Sequence, residues 1–163
     1  MDAADLAVDE TQLGRVPRGV VGIAARCVCG NPTVVATAPR LPDGTPFPTF
    51  YYLTHPAATA AMSHLEAAQV MPELAALLDD EAVAEAYLRA HEAYIADRSR
   101  YGDVPEIEGV SAGGMPTRVK CLHALAGHAL AAGPGVNPIG DAALARSVWS
   151  PDRCECAAPG EAA

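Results

Sequence analysis

The chain has 163 residues and a mass of 16.8 kDa, the size of one ordinary domain. Half of its residues are hydrophobic, enough for a core and too many for a disordered chain. With 19% charged residues and no apolar run near the ~18 residues of a membrane span, a transmembrane protein is not expected; a net charge of −9 argues against a general nucleic-acid binder or a partner of anionic membranes.

Residues 1–13 are acidic and polar, lack the features of a signal peptide and read as a flexible leader. From Gly14 the pattern turns β-like. The run GVVGIAARCV, the turn Cys29-Gly30-Asn31-Pro32 and the run TVVATA predict an antiparallel hairpin. A Pro-rich loop follows, and Phe50 to Thr54 predict a third strand, since aromatic and β-branched residues suit a pleated, half-buried surface.

Beyond Pro56 the spacing becomes helical. Residues 57–70 carry Met62, Leu65 and Val70. Pro72 fits the first turn of a short helix with Leu74, Leu77 and Leu78. A longer helix is expected over 80–100, with Val83, Tyr87, Ala90 and Tyr94 as its apolar stripe. After a loop over 101–115, a last long helix is expected from Pro116 to Gly133-Pro134, apolar nearly all round and therefore central. A short helix with Trp149 and a Cys-containing tail over 151–163 complete the chain. The expected fold is α+β: a three-stranded antiparallel sheet packed against about four helices, in a single domain over 14–150.

The five cysteines, Cys27, Cys29, Cys121, Cys154 and Cys156, are odd in number and accompany no export signal. A reducing, cytoplasmic location is expected.

The strongest local signal is the segment from Gly109 to Lys120, a small, Gly-rich loop running into the expected last helix. A helix N-terminus leaves about four backbone N–H groups without intrahelical partners and carries roughly half a positive charge. Gly113 and Gly114 allow close approach to the backbone, and Ser111, Arg118 and Lys120 (the only lysine) add polar and charged groups. This points to a small anionic ligand, bearing phosphate or carboxylate. Arg40, from the Pro-rich loop, is a candidate third arm, with pairing to Asp43 as the alternative. The segment matches neither nucleotide-binding glycine fingerprint, and GVSAG is not a nucleophile elbow. The alternative is a tight loop whose glycines serve only the turn.

A second signal is the set of Cys and His residues. On a regular helix Cys121 and His123 point about 200° apart, and Cys121 and His128 stand about 10.5 Å apart along the axis. Neither pair binds one metal in that geometry. Cys27 and Cys29 alternate sides on a regular strand, although a bulge would align them. Cys154 and Cys156 sit in the tail and are free to fold back. A composite metal site drawing on Cys27, Cys121 and His128 stays open beside the alternative of buried, neutral Cys and His. His91, Glu92, His64 and Glu66 offer proton carriers on helices, or simply a solvated face. His123 is the titratable group nearest the anion candidate, so any catalysis there would fall to it.

The segments GRVPRGVVGIAARC, TAPRLPDGTPFPTFYYLTHP, AHEAYIADR and SAGGMPTRVKCLHALAGHALAAGPGVNPIGD resemble the bacterial family catalogued as domain of unknown function 501, over about residues 13–148. The resemblance implies a small cytosolic protein of high-GC Gram-positive bacteria. It also implies genes neighbouring a septum formation initiator, an enolase and an exopolyphosphatase-type phosphatase. It carries over no catalytic residue and no cofactor. It leaves three readings: a binder of a small anion, an interaction module with a division- or phosphatase-related protein partner, and a Cys/His metal-binding protein.

Overall fold

The computed structural model describes residues 2–156. In chain order these hold α1 (Ala3–Leu13), β1 (Val20–Arg26), β2 (Pro32–Thr37), β3 (Tyr51–Leu53), α2 (Pro56–Ala67), α3 (Met71–Ala76), α4 (Glu81–Ser99), α5 (Leu122–Ala132) and α6 (Pro138–Arg146). Single 3-10 turns lie over Leu77–Asp79 and Pro105–Ile107. The class is α+β, as expected, with six α-helices among the described residues where about four were foreseen. None of these helices is long and apolar enough to cross a membrane.

The sheet is antiparallel in the order β1-β2-β3. The central strand β2 is buried along its whole length, as its run of Val and Thr requires. The edge strand β1 carries three register irregularities against β2, a common way to blunt an edge against further pairing.

Helix α5 lies across the sheet, chiefly over β3. Its approach depends on Gly127, where a Cβ would sit 3.3 Å from the Tyr51 carbonyl. Helix α6 crosses α5 at Gly140, where a Cβ would collide with the Leu125 carbonyl. Helix α4 is tied to β3 by Tyr94, whose hydroxyl accepts from the backbone N–H groups of Phe50 (2.6 Å) and Tyr51 (3.2 Å). The core runs between these elements through Phe50, Met62, Leu74, Tyr87, Leu122, Leu125 and Ile139.

Polar side chains start the helices where the sequence supplies them. Asp80 caps α4, accepting from Ala82 and Val83. Asn137 caps α6 through Gly140, with Pro138 next in line. His55 caps α2, its Nδ1 accepting from Ala58.

Three expectations need correction. The leader is helical: Asp2 caps α1 by accepting from Asp5, Gly14 ends it with φ of 65°, and the helix packs on the sheet. Asp5 holds Arg26 at 2.7 and 2.8 Å, and Gln12 donates to the Pro32 carbonyl. The last long helix starts at Leu122, not Pro116, because Gly113 and Gly114 adopt positive φ and fold the segment back on itself. Trp149 lies beyond α6 rather than within a helix, yet it is buried, with its ring 5.5 Å from that of His55.

Candidate metal centre

The anion candidate is laid out differently from its sequence reading. The Gly113 carbonyl accepts from Lys120 and Cys121, the Gly114 carbonyl from Arg118, and the Ala112 carbonyl from Met115. A Cβ at Gly113 would strike Leu125, and one at Gly114 the Arg118 backbone. Both glycines are therefore used for packing, and the N–H groups of Met115, Arg118 and Lys120 are engaged inside the loop. Ser111 is buried, with Oγ 2.8 Å from His91 Nδ1, and the Arg118 carbonyl accepts from Tyr87. Arg118 and Lys120 are exposed. Arg40 pairs with Glu106 through two contacts of 2.7 and 2.8 Å, while Asp43 faces Arg18. The helix N-terminus that was to underlie anion binding does not stand behind these glycines.

The candidate metal ligands also sort differently. Cys27 joins Cys29, Cys154 and Cys156, all four sulfurs lying within 4.8 Å of one another. Cys121 joins Glu66 and His123. His128 joins neither. It is buried in the core, stacked on Tyr51 at 5.6 Å, with Nδ1 3.1 Å from Asn137 Nδ2. Burial pulls its pKa down to about 4, so the ring is neutral and accepts at Nδ1.

The four-thiol corner is built by two chain segments. β1 ends at Arg26, so Cys27 and Cys29 lie in the turn rather than the strand. Strand alternation does not apply to them, and both face one side. Two hydrogen bonds fix that turn: Cys27 N to the Asn31 carbonyl, and Gly30 N to the Cys27 carbonyl, both 2.8 Å. The tail supplies the other pair, arriving where Trp149 packs beside His55. The Cys29 and Cys156 sulfurs stand 3.5 Å apart. A tetrahedron of metal–sulfur bonds of ~2.3 Å has edges of about 3.8 Å, so the spacing suits one ion.

The surroundings tune the thiols unequally. The Asn31 backbone N–H lowers the Cys29 pKa to about 7. Burial raises Cys27, and raises Cys156 to about 12. His55 Nε2 stands 3.2 Å from the Cys156 sulfur. Its Nδ1 accepts from Ala58 and burial keeps the ring neutral, so the ring proton sits on Nε2 and points at the sulfur.

The second cluster joins the last turn of α2 to the start of α5. Cys121 has φ of −147° and ψ of 107° and is the residue before the helix, so the 200° argument from a regular helix does not hold there. Its sulfur is 4.0 Å from His123 Nδ1. That contact lowers the thiol's pKa and, with Glu66 3.3 Å from the same nitrogen, raises that of the imidazole. Sequence reasoning missed Glu66 as a partner and missed the fourfold cluster. The repeated Cys-x-Cys spacing at 27/29 and 154/156 was the signal for the latter.

Fold and site together define an α+β protein with two cysteine-bearing corners. Residues 23–145 match the model of the family described as Protein of unknown function (DUF501), which is most of the chain. The chain belongs to that family. No curated protein and no solved structure matches it. Cys27, Cys29, Glu66, Cys121 and His123 fall inside the matched segment, and Cys154 and Cys156 lie beyond it.

Proposed function

We propose that the protein is a metal-binding protein that holds one thiophilic divalent ion, zinc by the chemistry of the donors, at Cys27, Cys29, Cys154 and Cys156. The observation that carries this reading is the convergence of four sulfurs within 4.8 Å, two from the hairpin turn and two from the segment after Trp149. Four thiolates around a tetrahedral ion form a closed, structural type of site. A His N–H directed at one sulfur is the kind of outer contact that orients metal ligands. The ion's role in this reading is to staple the C-terminal tail to the β-hairpin.

The test is the metal content of the full chain, purified anaerobically without added chelator. A Cys29→Ser/Cys156→Ser double variant is expected to lose one equivalent of zinc relative to the wild type, measured by elemental analysis and native mass spectrometry. Equal metal content in the two proteins would reject the site. So would a Cys29–Cys156 disulfide in the freshly isolated protein, 2 Da lighter than the thiol form by the loss of two hydrogens.

A further inference from the structure

The geometry points to a second metal site, at Glu66, Cys121 and His123, which binds a zinc-type ion through three side chains and leaves at least one position open to an oxygen ligand. It does not rest on the four-thiol reading, because the two donor sets share no residue.

Three donors of different kinds converge here, their atoms all within 4.8 Å of one another. His123 Nδ1 lies 3.3 Å from Glu66 Oε1 and 4.0 Å from Cys121 Sγ. Around a tetrahedral zinc with bonds of ~2.0–2.3 Å, N···O and N···S edges come to about 3.4 and 3.6 Å. The cluster is close to that arrangement.

Which ring nitrogen faces which partner decides between a metal site and a nucleophilic relay. In a thiol–imidazole–carboxylate relay, one ring nitrogen meets the thiol and the other is held by the carboxylate. Here the sulfur and the carboxylate both face Nδ1. The far nitrogen, Nε2, is held 3.1 Å from the Thr59 carbonyl and 3.1 Å from Ser63 Oγ. A carbonyl only accepts, so Nε2 carries a proton, and Nδ1 is the ring nitrogen that faces the common centre, where an ion would take the place of a proton shared with Glu66 and Cys121. A ligating imidazole that donates its other N–H to a backbone carbonyl is the usual supporting arrangement of a metal-bound histidine. The carboxylate is oriented too, Glu66 Oε1 accepting from the Leu122 backbone N–H at 2.8 Å.

The Glu66 and His123 side chains are 28% and 27% exposed, so the centre is reachable from solvent. Three protein ligands with a free, wetted position is the pattern of zinc centres that polarise a bound water or carbonyl oxygen, unlike the closed four-thiol corner.

The experiment titrates the reduced, metal-free full chain with cobalt(II) and with zinc, counting bound ions by native mass spectrometry. The wild type is expected to bind two equivalents. The Cys29→Ser/Cys156→Ser variant should keep one, while His123→Ala and Cys121→Ser should each lose one and keep the four-thiol equivalent. Glu66→Gln retains an acceptor for Leu122 N–H and should weaken the second equivalent without removing the first. A readout free of variants is iodoacetamide labelling of Cys121 followed by peptide mapping. Zinc should slow it about tenfold or more, because the metal-bound thiolate is no longer a free nucleophile. Labelling unaffected by saturating zinc, or a metal count that His123→Ala and Cys121→Ser leave unchanged, would overturn the site.

Discussion

The two cysteine-bearing corners are assembled in opposite ways. The four-thiol corner joins Cys29 to Cys156, 127 residues apart in sequence, and its tail half reaches the body through the Trp149–His55 contact and the thiols themselves. The Glu66–Cys121–His123 corner is carried by α2 and α5, two helices packed against each other within the main core. On the proposed reading, an ion at the first would complete the tail's attachment, whereas the donors of the second are positioned by the packed helices themselves. Metal binding at the first is therefore expected to couple to folding of the tail, and at the second to leave the fold alone.

The largest effect that tests this contrast is metal removal. Stripping the ion is expected to undock the tail, with a binding free energy on the order of 10 kcal/mol for structural four-ligand sites no longer holding it. Trp149 is the only tryptophan and is 3% exposed, so its emission should shift to the red as it meets water. Amides of α2 and α5 should keep their hydrogen-exchange protection. Loss of protection in α5 alongside the tail would show that the corners are not separately supported.

Acid sharpens the contrast from the other side, because α5 carries a second, very different histidine. His128 is buried and neutral, its pKa drawn down to about 4 from an ordinary 6.5. A group whose folded pKa is depressed stabilises the fold fully above 6.5, and that stability is lost as pH falls toward 4. Roughly 3 kcal/mol is at stake, on the scale of 1.36 kcal/mol per pKa unit. Urea unfolding at pH 7, 5.5 and 4 should show the decline in wild type and a shallower slope in His128→Gln. Identical slopes would mean that the core histidine does not govern acid stability.

The smallest effect concerns His55. A His55→Phe variant keeps a ring beside Trp149 and removes the N–H aimed at Cys156. It is expected to weaken the four-thiol ion by about 10–100-fold, the usual cost of losing an outer partner, and to leave the second site's affinity unchanged. Competition with a chromogenic zinc chelator would measure both. An unchanged affinity at the four-thiol corner would show that the His55–Cys156 contact is packing alone.

The environment of Asp9 belongs to the same hairpin side of the molecule. Its carboxylate is fully buried without a hydrogen-bond partner among the described residues, and burial raises its pKa. Nothing in the polar sequence of α1 announced this, because the burial depends on the helix lying against the sheet.

Local chemistry was legible in the amino-acid sequence. The Val- and Thr-rich runs, the Cys29–Pro32 turn and the aromatic run from Phe50 specified three strands, and the structure holds β1, β2 and β3 there. Pro56 and Pro72 mark helix starts because a proline ring suits the first turn, and α2 and α3 begin there. The long loop before α5 was harder. Its glycines read equally well as a cradle for an anion and as a turn, and the close approach of Leu125 to Gly113 and of the Arg118 backbone to Gly114 depends on the tertiary fold.

The candidate sites were legible in residue type but not in grouping. Cys121 and His123 were set apart by assuming a helix already formed at Cys121, whereas an extended residue there turns its sulfur back toward the ring. Cys27 and Cys29 alternate only on a regular strand, whereas β1 ends at Arg26 and leaves both in the turn.

What the sequence by itself determined was the three strands and the helices over α2 to α4, the acidic balance and the supply of thiol and imidazole donors. Each of these follows from the residues' own propensities and short-range hydrogen bonds. What only the tertiary structure decided was which donors share a point in space. Burial of Trp149 beside His55 brings the tail to the hairpin, and the packing of α2 on α5 brings Glu66 to His123. Both depend on contacts between residues far apart in the chain, which no local pattern encodes.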